Sequence, residues 1–135
     1  MNGQEDRRIT EILSQAVPEL VAIYRFGSTA RGGERPGSDV DLAVLAKHPL
    51  GAARRHEAQD ELAQALRRDV DLIDLLSVPT VLRMQVVATG GVIADRDPQQ
   101  RRSFETYVFA DYARLNEERR EILERVAREG RVYAG

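Results

Sequence analysis

The chain has 135 residues, with 20 basic and 22 acidic side chains, a formal net charge of −2 and no cysteine. That length gives one domain with a core of its own and no room for a separate substrate domain. Near-neutrality argues against a general nucleic-acid-binding surface, and the lack of thiols excludes disulfides, zinc–thiolate sites and cysteine redox chemistry.

The first ten residues, MNGQEDRRIT, are polar, and no apolar run in the chain approaches the roughly 20 residues that span a bilayer. A cytoplasmic protein without membrane association is expected. Lys47 is the only lysine, and for most of the arginines genomic base composition is the better reading than phosphate recognition.

Gln4 to Val17 predicts a helix, with Ile9, Ile12, Leu13 and Ala16 forming an apolar stripe and Pro18 stopping it. It reads as packing against a sheet, without chemistry. Leu20 to Phe26 predicts the first strand, in which Tyr24 and Arg25 read as strand-end residues. Gly27-Ser28 follows, where a missing Cβ lets another group approach the backbone closely. Ser28 to Gly32 reads as a short helix whose first turn offers N–H groups to phosphate. Gly32, Gly33 and Gly37 reverse the loop, so that the second strand lies beside the first.

Val40 to Leu45 predicts that second strand. Alternation puts Asp39, Asp41 and Ala43 on one face and Val40, Leu42 and Val44 on the other. Two carboxylates two residues apart lie roughly 6–7 Å apart along a strand. Each raises the other's pKa unless something neutralises them, and a hard divalent cation does so best. Mg²⁺ uses one or two carboxylates and takes its other ligands from water and phosphate oxygens. The pair therefore reads as half of a site that a nucleotide completes.

His48-Pro49-Leu50-Gly51 ends the strand, and His48 and His56 read as exposed, without metal-ligand spacing. Ala52 to Arg68 predicts a helix with Ala58, Leu62, Ala65 and Leu66 inward. Asp69 to Leu76 predicts a third strand, with Asp69, Asp71 and Ile73 on one face and Val70, Leu72 and Asp74 on the other. Val78 to Thr89 predicts a helix whose nearly continuous apolar run makes it well buried, ended by Gly90-Gly91; Val92 to Ala94 is a short strand. Asp97-Pro98 opens a long helix to about Glu129, capped by Gly130. Thirty helical residues reach about 45 Å, beyond the width of so small a domain. Its distal half, with Leu115, Ile122, Leu123 and Val126, is expected to project and offer an apolar stripe to a partner.

The run G-S-x-A-R-G-x-x-x-P-x-S-D-x-D-L, from Gly27 to Leu42, resembles the signature of the nucleotidyltransferase superfamily that includes DNA polymerase β. More narrowly the chain resembles the minimal (MNT-type) nucleotidyltransferases, antitoxin partners of HEPN toxins. The resemblance implies an α/β fold: a small mixed sheet flanked by helices, with a core of about residues 5–95 and a long C-terminal helix of about 98–129. It implies transfer of AMP from ATP to a hydroxyl, with Asp39 and Asp41 holding Mg²⁺ and Gly27, Ser28, Arg31 and Ser38 around the nucleotide. The family pattern V-D-L-[IV]-D falls on Val70 to Asp74 and makes Asp71 the third carboxylate, a general base that also serves the second metal; Asp74 is the weaker alternative. Without an acceptor domain, the hydroxyl is expected on another protein: a tyrosine of a HEPN RNase toxin, silenced by the modification. A small-molecule hydroxyl such as that of an aminoglycoside, held with a helical partner subunit, and a binding-only antitoxin are the alternatives.

Overall fold

The computed structural model describes residues 3–27 and 39–134, with side chains as far as residue 130. Eight elements follow one another along the described residues: α1 (Gly3–Ala16), β1 (Leu20–Phe26), β2 (Val40–Ala46), α2 (Ala52–Leu66), β3 (Val70–Asp74), α3 (Thr80–Thr89), β4 (Gly91–Asp95) and α4 (Pro98–Ala134). The strands form one mixed sheet in the order β3-β2-β1-β4. β1 is antiparallel to both neighbours, whereas β2 and β3 are parallel and joined through α2. The expected α/β fold, a small mixed sheet flanked by helices, is the fold observed.

The two inner strands are apolar on both faces because both faces are covered. On one face Leu20, Ile23, Val40, Leu42, Val44 and Leu72 pack with Ile9, Leu13 and Val17 of the α1 region and with Ala58 and Leu62 of α2. On the other, Val21, Ala22, Tyr24, Phe26, Ala43 and Leu45 pack with Leu75 and with Val86 of α3, and Phe104 of α4 closes the cluster. Consecutive Val21 and Ala22 share a face because the β1–β2 register shifts between Leu20 and Ala22.

Three expectations are corrected. α2 stops at Leu66, because Arg67 adopts a left-handed conformation (φ 53°) and its N–H caps Ala63 C=O; Arg68 is thereby released toward α1. α3 is not well buried: Val86 is its one buried residue among those described, and Val81 is half exposed. The apolar run covers more of the helix surface than the sheet can reach. α4 does not end at Gly130 but runs to Ala134, about 55 Å at 1.5 Å per residue. A glycine inside a helix costs only about 1 kcal/mol, so it need not act as a cap. Phe104 and Val108 anchor the proximal half of α4, and residues 116–130 are exposed throughout. Of the stripe expected to project, Ile122, Leu123 and Val126 do so, at 54–61% exposed, whereas Leu115 is half-buried. No described helix is long and apolar enough to cross a membrane.

Candidate active site

The carboxylates gather at the end of the sheet where β1 finishes and β2 and β3 begin. Phe26 pairs with Asp41 across β1–β2, and Asp41 pairs with Asp71 across β2–β3. Parallel neighbours in register point the same way, so Asp41 and Asp71 stand side by side on strands about 4.8 Å apart. Asp39 lies one strand repeat before Asp41. Asp39 and Asp71 are exposed and Asp41 is half-buried.

Burial pushes the Asp41 carboxyl above the ordinary carboxylate range, and the charges of Asp71 and then Asp39 push it the same way. Among the described residues, no cationic side chain forms an ion pair with any of the three. Three carboxylates without a cationic partner among the described residues offer hard oxygen donors that suit a divalent cation of the magnesium type. Yet no group of three acidic or histidine side chains among the described residues is drawn together tightly enough to hold a metal by itself. Both features fit a site whose remaining ligands come from water and a phosphate-bearing substrate.

Gly27 is where the loop chemistry meets the carboxylates. It has φ +73°, and a Cβ there would lie 2.3 Å from Asp41 Oδ2. The group that approaches its bare backbone is thus the Asp41 carboxylate itself. Ser28, Arg31 and Ser38, expected around the nucleotide, and the short helix expected over Ser28 to Gly32 lie outside the described residues.

Asp74 is placed apart from this group. It points to the opposite face, is 2% exposed, and its oxygens accept hydrogen bonds from Leu50 N–H (2.8 Å), Leu76 N–H (3.0 Å) and Ser77 Oγ–H (3.1 Å). It organises the loops beyond β2 and β3. His48 and His56 are exposed, and His56 pairs with Asp60 at 3.3 Å. A cleft of about 560 Å³ lined by Leu45, Lys47, Phe104 and Tyr107 opens at the far end of the sheet and contains none of the three carboxylates.

Several supporting side chains carry no local signal in the sequence. Arg25 Nη2 donates to Glu5 Oε1 (3.0 Å) and Asp6 Oδ1 (2.8 Å), and Arg68 Nη1 donates to both Glu5 oxygens at 3.1 Å. This mostly buried network ties α1 and the end of α2 to the end of β1, just before Gly27. Tyr24, fully buried, donates its hydroxyl to Glu105 Oε2 at 2.7 Å, while Arg101 bridges Glu105 and Asp95. That chain pins α4 across β1 and β4. On the edge strand, Gln59 Oε1 accepts Leu72 N–H at 2.9 Å and Arg55 Nη1 donates to Leu72 C=O at 3.1 Å.

The profile of the family described as Polymerase beta, Nucleotidyltransferase matches residues 7–99. The protein adenylyltransferase MntA of Shewanella oneidensis is 37% identical over 126 residues, covering 93% of this chain and 90% of that protein. Among solved structures, a toxin–antitoxin with AMP-PNP superposes with a TM-score of 0.81 at 38% identity, covering 90% of this chain and 98% of that one. A structure of the tri-AMPylated Shewanella oneidensis HEPN toxin in complex with MNT antitoxin gives a TM-score of 0.79 at 35% identity, covering 94% and 99%.

Proposed function

Since the chain belongs to the polymerase β-type nucleotidyltransferases, in their minimal MNT form, we propose that it is a cytoplasmic, magnesium-dependent adenylyltransferase that silences a HEPN-type toxin by moving AMP from ATP onto a tyrosine hydroxyl of that toxin. The observation that carries the reading is the cross-strand pair of Asp41 and Asp71 with Asp39 beside them, at the sheet end where Gly27 lies against Asp41.

Asp39, Asp41 and Asp71 are the residues that would hold Mg²⁺. Bound there, the metal supplies charge neutralisation at the α-phosphate and the leaving pyrophosphate and lowers the pKa of the attacking hydroxyl. Gly27, Ser28, Arg31 and Ser38 bind the triphosphate, the first two through backbone N–H groups and the Ser28 hydroxyl. Asp71 takes the proton of the acceptor hydroxyl. The freed oxygen bonds to the α-phosphorus, the bond from that phosphorus to its bridging oxygen breaks, and pyrophosphate departs. Asp71 is exposed on a strand that is an edge among the described residues, so a hydroxyl carried by another protein can reach it.

The partner docks on the distal half of α4. That half covers no part of its own core, and Ile122, Leu123 and Val126 stand in water without it. Binding of Mg-ATP to the native state alone raises Tm by mass action, which a melting scan at millimolar ligand reads.

The deciding experiment incubates the chain with labelled ATP, Mg²⁺ and its HEPN-type partner. The wild type labels the partner on tyrosine. The Asp39→Asn/Asp41→Asn double variant still binds it, adds no nucleotide mass and fails to protect cells. Full protection by that variant would mean that contact alone neutralises the toxin, and the enzymatic reading would fall.

A further inference from the structure

Among the described residues β3 is an edge strand, paired with β2 on one side only, and it carries Asp71. Asp41 sits on β2, which has a neighbour on each side. The two acids therefore differ in how firmly the sheet holds them.

Val40 N–H is donated to Asp69 C=O, and Leu75 N–H to Val44 C=O. In a parallel ladder this alternation turns the backbone groups of Asp69, Asp71 and Ile73 toward β2 and those of Leu72 toward the open edge. Both outward groups of Leu72 are met by side chains of α2: Gln59 Oε1 takes the N–H and Arg55 Nη1 binds the C=O. Arg55 and Gln59 lie one turn apart, and Arg55 Nη1 also donates to Gln59 Oε1 at 3.4 Å, so each holds the other in place. The peptide between Asp71 and Leu72 is thus gripped from β2 at its C=O end and from Gln59 at its N–H end.

We infer that Gln59 and Arg55 are positioning residues for the transfer reaction: together they replace the missing fifth strand at Leu72 and fix the direction in which Asp71 presents its carboxylate. The inference rests on the role proposed above for Asp71. A device that merely blocked edge-to-edge pairing could engage any outward residue of β3. This one engages the residue that follows Asp71.

The test compares Gln59→Leu, which removes the acceptor, with Gln59→Glu, which keeps it beside Arg55. Three quantities are read in the full chain: amide exchange at Leu72, affinity for Mg–AMP-PNP, and kcat for labelling the HEPN-type partner. In Gln59→Leu, exchange at Leu72 rises about fivefold or more while the core strands stay protected. Its AMP-PNP affinity stays within about twofold, and kcat falls about 10- to 100-fold, as expected for misplacement of a reacting group without loss of binding. Gln59→Glu restores both exchange and kcat. Wild-type kcat in a Gln59→Leu chain whose Leu72 amide has become labile would overturn the clamp alone. So would a parallel loss of AMP-PNP binding and of protection across the whole sheet, since the pair would then serve general stability. A wild-type chain that does not label the partner would overturn the proposed function, and the clamp with it.

Discussion

Replacing Gly27 by alanine separates two effects that a single glycine usually confounds. Gly27 has φ +73° and a prospective Cβ contact of 2.3 Å with Asp41 Oδ2; Gly51 has φ +83° and nothing within 4 Å of its prospective Cβ. Both substitutions force an L-residue to a positive φ, at Gly51 with ψ 154° in a region essentially confined to glycine, and each costs roughly 1–3 kcal/mol. For a domain of this size, at about 3–4 °C per kcal/mol, that lowers Tm by roughly 3–12 °C in either variant. Only at Gly27 must something also move. To reach an ordinary contact of 3.4 Å from 2.3 Å, the Asp41 oxygen must retreat by the difference, 1.1 Å. A displacement of that size at a reacting centre reduces rate by about 100-fold. Gly27→Ala should therefore combine a modest Tm loss with a transfer rate about 100-fold lower, and Gly51→Ala should show the Tm loss with wild-type transfer. Differential scanning fluorimetry and partner labelling with radioactive ATP measure the two. Equal transfer rates in the two variants would refute the argument that Gly27 exists to make room for Asp41.

Three further outcomes follow from the same geometry. Asp71→Asn should abolish transfer while leaving Tm and nucleotide affinity near wild type; an active Asp71→Asn beside a dead Asp74→Asn would reverse the assignment on β3. Asp74→Asn should instead lower stability by about 1–3 kcal/mol, because an amide NH₂ must face one of the three donors that Asp74 now receives. Asp41 has a folded-state pKa raised by burial and by its acidic neighbours, so its ionisation costs stability as pH rises from the unfolded-state value through the raised one. Asp41→Asn should accordingly raise urea resistance at neutral pH, and the gain should disappear in acid, where Asp41 is protonated in both states; a gain that persists at low pH would contradict this.

Much of this was legible in the sequence because its signals are local. The apolar run Leu20 to Phe26 gives β1 to the residue, and alternation along Val40 to Leu45 sorts Asp41 from Leu42 correctly. Asp71 and Asp74 were separable by parity alone, and the structure places them on opposite faces. What escaped depends on pairs distant in the chain. Glu5 meets Arg68 across 63 positions and Tyr24 meets Glu105 across 81, so neither end carries a mark of the other. Gln59 and Arg55 look like any solvated helix face until β3 is known to be an edge. The overcounted burial of α3 has a similar origin: Val81 is as apolar as Val86, and only the position of the sheet decides which is covered.

The exposed end of α4 bears on the lifetime of the protein. Residues 116–130 touch no core, and the helix there leans on surface ion pairs such as Arg114–Glu118 and Arg120–Glu117. Such pairs add only a few tenths of a kcal/mol each, so opening this segment costs little compared with unfolding the sheet. Arg119, Arg120, Arg125 and Arg128 offer trypsin-like proteases several cleavage points within it. Trimming of the free chain should occur there, and any surface that covers the stripe should slow it, so that the survival of this chain is tied to the company it keeps.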